Sequence, residues 1–213
     1  PCCSTKKGMD GNKFCQKCGS KLLLTERYRA LDILGRGELG ITFLGIDEFK
    51  PSHPYCIIKQ SLSQAQGTVD LQHGVEKFTQ QAIQLEELGK HPQIPGLLAF
   101  FCAHNIHYLI QEFIDGKNLL QDVQENGVLK ESDIWEILKS LLPVLEFVHQ
   151  HRVIHRDIKP LNIIRQRETN KLFLVDFGAA KVTSKHNPLK KGTVIGSPEY
   201  TAPEQAKGEA TYA

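Results

Sequence analysis

His155-Arg156-Asp157-Ile158-Lys159-Pro160-Leu161-Asn162 is the stretch that decides how this chain is read. It places an imidazole, two cations, an acid and an amide close together, with Pro160 as punctuation. It lies between a helical pattern and a short apolar, strand-like run. A connecting loop needs turn residues and solubility. It does not need this much chemistry, so the stretch is a candidate site.

Upstream, Ser132–Gln150 repeats apolar residues at helical spacing. Ile134, Ile137, Leu138, Leu141, Leu142, Leu145 and Val148 share one broad face, which predicts a core helix. Ser132 is the expected N-cap, and Pro143 should bend the helix. Downstream, Ile163–Arg165 and Leu172–Val175 read as short strands. Asp176-Phe177-Gly178 follows directly, an acid at a strand end with a glycine two residues on, which suits a metal-coordinating turn. Beyond Ala179 the chain is polar, with Gly192, Gly196, Pro198 and Ala202-Pro203-Glu204 and no long periodic segment.

Nearer the N-terminus, Tyr28–Leu34 alternates as a strand does. Gly35-Arg36-Gly37-Glu38-Leu39-Gly40 follows, and then Thr42–Ile46, a second strand. A dinucleotide fingerprint of this spacing would open a helix. The strand that follows argues instead for a hairpin covering phosphates; taken alone, a plain glycine hairpin fits as well. Tyr55–Lys59 is an apolar strand ending in lysine, a cation that is costly to bury without an anionic partner. Residues 60–74 read as a loop. Val75, Phe78, Ala82, Leu85 and Leu88 then mark a helix stopped by Gly89. Leu97–Cys102 and His107–Ile114 are further strands with a turn at Asn105. Asn118–Gln124 is a short helix ending near Gly127.

The chain has 213 residues, is 40% hydrophobic and 23% charged, and carries a net charge of +2. These are values of a globular protein, and the net charge is too small to argue for nucleic acid or an anionic membrane as the partner. No apolar run reaches membrane-spanning length, and no signal peptide is visible. Cytoplasmic location is the expectation. The first residue is Pro1, which points to a fragment or a processed product. Four of the six cysteines fall within the first 18 residues. Cys15-Gln16-Lys17-Cys18-Gly19 has zinc-knuckle spacing, and Cys3 is the expected third ligand, one of a set to be completed upstream. Zn2+ is thus a candidate cofactor beside a metal-free reading. Cys56 and Cys102 sit in apolar surroundings and read as buried small hydrophobes.

The motifs occur in one order: glycine hairpin, strand lysine, His-Arg-Asp loop with Lys159 and Asn162, Asp-Phe-Gly, then Ala-Pro-Glu. That is the protein-kinase signature set. From about Tyr28 onward the chain resembles bacterial eukaryotic-like Ser/Thr protein kinases, and its cysteine knuckle resembles a zinc-ribbon-like element found before the kinase domain in a subgroup. The resemblance implies an α+β, bilobal fold: a Cys-rich element over 1–24, a β-rich N-lobe over 25–114, and a helical, incomplete C-lobe over 115–213.

It also implies roles. Backbone amides of Gly35, Gly37 and Gly40 would cover the phosphates of ATP, and Lys59 would contact them. Asn162 and Asp176 would hold Mg2+. Asp157 would orient the attacking hydroxyl and accept its proton, and Lys159 would balance charge on the transferred phosphoryl. Gln111, Glu112 and Ile114 would border adenine on the segment joining the lobes, with Leu34, Thr42, Ile57 and Ile164 sandwiching the ring. Arg156 suggests control by phosphorylation at Thr183, Ser184 or Thr193, while Ser197 would support substrate docking. Partners would be ATP and protein Ser/Thr substrates, without nucleic acid; the oligomeric state stays open.

The chain also departs from that pattern. The helix acid that pairs with the strand lysine falls on Gln81, and Glu76 and Glu86 are each five residues away, on other faces. Leu161 stands where relatives often have Glu. Several helices are expected beyond Ala213, including the arginine that would pair with Glu204; without them the 132–150 helix would expose apolar surface. A pseudokinase, binding nucleotide or protein without transfer, is the alternative function. A binding ribbon centred on the cysteines is a third, disfavoured by the low charge.

Overall fold

The computed structural model describes residues 14, 19, 21–37, 40–61, 68–182 and 197–207. They form two compact units. One runs up to Ala82 and includes Leu97–Phe113; the other comprises Ile83–Gly96 and the residues from Ile114 onward.

The first unit is built on a six-stranded antiparallel sheet of order β1-β2-β3-β4-β6-β5. Its strands are β1 (Leu23–Leu24), β2 (Tyr28–Gly37), β3 (Gly40–Asp47), β4 (Tyr55–Ser61), β5 (Leu97–Ala103) and β6 (Ile106–Glu112). Side chains alternate between faces. Phe43, Ile58 and Ile110 are in register across β3, β4 and β6 and form one core with Tyr28, Ala30, Cys56 and Tyr108. Truncating Ile58 to Ala there would cost about 2–5 kcal/mol. The intervening residues carry the other face: Thr42 pairs with Lys59, Ile57 with Gln111, and Lys59 with Leu109.

Two local devices fix the hairpins. Arg27 forks onto Asp47, Nε to Oδ1 at 2.9 Å and Nη2 to Oδ2 at 2.7 Å, and these bonds hold the buried Asp47 carboxyl below its ordinary value. Gly40 adopts φ +151, and a Cβ there would lie 1.9 Å from the Gln60 carbonyl oxygen, so only glycine fits. Leu22–Leu24 lie buried against this sheet, with β1 paired to β2, a strand that periodicity does not announce in so short a run.

Helix α1 spans Thr68–Leu88. The expected loop over 60–74 is therefore too long: Gly74 lies inside the helix, where glycine costs only about 1 kcal/mol. Phe78, Gln81, Ala82, Leu85 and Leu88 are its buried stripe, and Phe78 meets Phe100 of β5 at 6.3 Å. Cys56 is fully buried as expected, but Cys102 is exposed. It lies on edge strand β5 opposite His107, and apolar neighbours do not reveal which face a strand residue takes.

The second unit contains a three-stranded sheet of order β10-β9-β7 and a two-stranded pair, β11 with β8. These are β7 (Gly116–Asn118), β8 (Val153–Ile154), β9 (Ile163–Gln166), β10 (Leu172–Leu174) and β11 (Lys181–Val182), with helices α2 (Leu119–Asn126), α3 (Glu131–Gln150) and α4 (Pro203–Ala206). Asn118 caps α2 in a reciprocal box with Gln121, and Gly127 closes it. The N-cap of α3 is Lys130, not Ser132: the helix begins at Glu131, and Asp133 reaches back to the Lys130 N–H at 3.0 Å. Gln93 joins the segment after α1 to α3 and β10, donating to Ser140 Oγ at 3.0 Å and to the Leu172 carbonyl at 2.9 Å.

The broad apolar face of α3 is core only in part. Leu141, Val144 and Val148 are buried, whereas Ile134, Trp135, Leu138 and Leu142 are exposed. Periodicity marks an apolar face; it does not show what covers it. No helix among the described residues is long and apolar enough to cross a membrane.

Candidate active site

Residues 155–162 hang between β8 and β9, and both strands are pinned. β8 pairs with β11, which follows the Asp-Phe-Gly turn. β9 pairs with β10, which precedes it. The loop closes through a 3-10 turn at Pro160–Asn162, and the Val175 N–H donates to the Asn162 carbonyl at 2.9 Å. Asn162 and Asp176 are thereby carried on adjoining backbone segments. Asp176 itself adopts a left-handed turn, φ 63, and accepts from the Gly178 N–H at 3.3 Å.

Asp157 is the centre of the cluster. Its Oδ2 receives Lys159 Nζ at 2.8 Å and Asn162 Nδ2 at 2.9 Å. Its Oδ1 receives the Ser197 hydroxyl at 3.0 Å, and that hydroxyl in turn accepts from Lys159 Nζ at 2.7 Å. Burial, the largest influence on Asp157, pushes its carboxyl up. The hydrogen bonds from Lys159, Ser197 and Asn162 and the Lys159 charge together outweigh it and hold the carboxyl below its ordinary 3.8. The carboxylate thus lies within hydrogen-bond reach of a hydroxyl, the geometry that orienting a nucleophilic hydroxyl requires.

His155 is 1% exposed and sets the loop's frame. Nε2 faces the Val175 carbonyl at 3.1 Å, and Nδ1 accepts the Asp157 N–H at 3.3 Å. Both contacts are satisfied only by the neutral ring protonated at Nε2. Phe177 packs edge-on against the ring at 4.7 Å. Arg156 donates from Nε to the Ala179 carbonyl at 2.7 Å, and burial lowers its guanidinium from its ordinary value. Gln205, which sequence reasoning missed, donates to the Arg156 carbonyl at 2.7 Å. A glutamine in a polar run carries no signal that could have found it.

The first unit holds the other candidates. Lys59 stands mid-sheet between Thr42 and Leu109, and Ile57 between Leu44 and Gln111. Leu34 is 54% exposed, whereas Gln111 is buried. A Cβ at Gly35 or Gly37 would meet nothing within 4 Å, so packing within the chain does not explain these glycines. On α1, Gln81 is 3% exposed while Glu76 and Glu86 face solvent. Glu112 is exposed at the end of β6. Ile114 and Ile164 belong to the second unit, the former buried and the latter opposite Phe173 in the β9–β10 pair. The candidate zinc ligands Cys3, Cys15 and Cys18, and Thr183, Ser184 and Thr193, lie outside the described residues. Among the described residues no three His, Cys, Asp or Glu side chains group as a metal site.

The protein kinase domain family matches residues 28–212. The chain belongs to the protein kinase family. Its relatives include serine/threonine-protein kinase B of Synechocystis, 37% identical over all of this chain and 38% of the relative. Serine/threonine-protein kinase PknA of Nostoc is 42% identical over 89% of this chain and 35% of its own length. Serine/threonine-protein kinase F of Synechocystis is 38% identical over 94% of this chain and 43% of itself. The chain therefore spans less than half the length of these kinases. Membership in the kinase family gives the hydrogen-bonded Asp157 cluster its chemical context.

Proposed function

We propose that this kinase chain performs ATP-dependent phosphorylation of protein Ser and Thr hydroxyls, as a transferase in cytoplasmic signal transduction. The observation that carries the reading is the Asp157 carboxylate, held in place by Lys159, Asn162 and Ser197. Asp157 orients the acceptor hydroxyl and takes its proton. Lys159, which already bridges Asp157 and Ser197, offsets negative charge on the phosphoryl in transfer. A lysine at this place, two residues after the Asp, supports Ser/Thr rather than Tyr as acceptor.

ATP with Mg2+ supplies the phosphoryl group and the cation that neutralises its oxygens. Asp176 and Asn162 fit a Mg2+ ion: both offer oxygen ligands, on backbone segments joined by the Val175–Asn162 bond. Because Asn162 Nδ2 is committed to Asp157, Oδ1 is the atom that would coordinate. Gly35, Gly37 and Gly40 would cover the phosphates and Lys59 would pair with them. Leu34, Thr42, Ile57 and Ile164 would flank adenine, with Gln111, Glu112 and Ile114 at its edge. Phosphate on Thr183, Ser184 or Thr193 would pair with Arg156 and order the activation segment.

The test is transfer of labelled γ-phosphate by the full-length protein in Mg2+, followed by phosphoamino-acid analysis. Phosphoserine or phosphothreonine is the expected product; phosphotyrosine would overturn the acceptor class. The second reading is a pseudokinase, favoured by one observation: the buried α1 position where kinases carry an acid is the neutral Gln81. Nucleotide binding without transfer would establish that reading instead.

The N-terminal element we assign to zinc, with Cys3, Cys15 and Cys18 as ligands. What supports it is the CxxC spacing, with Gly19 at φ 71 and an antiparallel bridge between Phe14 and Lys21 on either side of the pair. Metal analysis of the full-length protein tests it; absence of stoichiometric zinc would refute it.

A further inference from the structure

The peptide that joins Arg156 to Asp157 is held at both ends by side chains. Its carbonyl oxygen accepts from Gln205 Nε2 at 2.7 Å. Its N–H, that of Asp157, donates to His155 Nδ1 at 3.3 Å. The plane needs such holding. Arg156 has φ 63, a left-handed conformation that a residue with a Cβ keeps only when its surroundings impose it. Turning the peptide over would exchange its carbonyl and N–H and break both bonds. Asp157 carries both the anchored N–H and the carboxylate that meets Lys159, Asn162 and Ser197, so the anchored peptide fixes the backbone end of that side chain.

The two anchors come from different places. His155 belongs to the loop itself and is backed by the Val175 carbonyl and Phe177. Gln205 lies in α4, 49 positions along the chain, in the segment that also contributes Ser197. That segment therefore grips Asp157 twice, once at its carboxylate and once through the peptide before it. A glutamine that only filled space would need no donor aimed at a carbonyl. The Arg156 oxygen has lone pairs to offer, so the tie requires an N–H or O–H at position 205.

We propose that Gln205 is a positioning residue for phosphotransfer, holding Asp157 in its working orientation through the Arg156 carbonyl. The inference rests on the kinase reading above. Gln205→Glu keeps the shape but sets a carboxylate oxygen against the carbonyl oxygen; only its protonated form can donate. Gln205→Met keeps the length and has no donor at any pH.

The experiment compares full-length wild type, Gln205→Glu, Gln205→Met and Asp157→Ala. It measures steady-state transfer from ATP between about pH 4 and 8, amide hydrogen exchange over residues 150–162, and melting temperature. At the upper pH both Gln205 variants should lose roughly ten- to hundredfold in kcat, with KM for ATP little changed. Exchange at the Asp157 amide should quicken. On acidification Gln205→Glu should regain activity relative to wild type while Gln205→Met does not. Wild-type kcat and exchange in both variants would overturn the proposal. So would a loss equal in both at every pH that follows a lowered melting temperature, since that is a purely structural role. If wild type shows no transfer dependent on Asp157, the kinase reading fails by itself, and exchange at the Asp157 amide still decides for Gln205, faster in its favour and unchanged against it.

Discussion

One nitrogen of Asn162 donates to two oxygens of Asp157, the backbone carbonyl at 2.8 Å and carboxylate Oδ2 at 2.9 Å. The amide thus locks the carboxylate to its own backbone. Asn162 is buried, so its loss is not compensated by water. Asn162→Ala should cost roughly 1.5–3 kcal/mol of stability and, with a proposed Mg2+ ligand removed as well, lower transfer at least about a hundredfold. Denaturant melts and kcat check this; a variant as active as wild type would refute the assignment.

The Asp157 carboxyl is depressed below 3.8 although burial, its largest influence, raises it. A depressed folded value means that this group's stabilisation is present above the unfolded value and is lost as pH falls through the folded one. Wild type should therefore show no acid limb from Asp157 near neutrality. In Lys159→Met the strongest opposing bond and charge are gone, burial gains ground, and the acid limb of kcat should move to higher pH. A pH–rate profile reads this directly, and a limb that stays in place counts against the account.

The buried neutral side chain at Gln81 predicts a gain of function. Gln81→Glu would restore the acid at the helix position that the kinase pattern assigns to the strand lysine, and a charge-assisted bond is about twice as strong as a neutral one. Transfer should rise about fivefold at saturating ATP. If the rate is unchanged, Gln81 is not the position that serves the lysine.

Thiol chemistry should separate two cysteines that look alike in sequence. Burial pushes the Cys56 thiol up to about 12, while Cys102 is exposed. Brief alkylation of the native protein near pH 8, read by peptide mass, should label Cys102 and spare Cys56 until the chain is unfolded. Early labelling of Cys56 would contradict the packing of β4.

These cases show what the residues alone could reveal. The order of glycine hairpin, strand lysine, His-Arg-Asp loop and Asp-Phe-Gly was legible because each motif needs particular side chains at short spacing. Strands β2 to β6 were legible, β2 from its alternation and β4 from its short apolar run. What escaped depends on long-range placement. The apolar stripe of α3 is visible in sequence, and exposed apolar surface on it was expected, but which residues stay exposed, Trp135 and Leu142 among them, is not visible. The start of α1 was hidden by Gly74, and the exposure of Cys102 by its apolar neighbours. The Gln205–Arg156 tie joins residues far apart in the chain, and neither residue type announces it.

In the proposed reaction Asp157 carries phosphotransfer. The direct measurement is transfer of γ-phosphoryl from ATP and Mg2+ by full-length wild type and Asp157→Ala, with nucleotide binding measured on both. The account predicts binding within about threefold of wild type and transfer reduced at least about a thousandfold, the combined effect of lost orientation and lost proton acceptance. Transfer that persists in Asp157→Ala would contradict it.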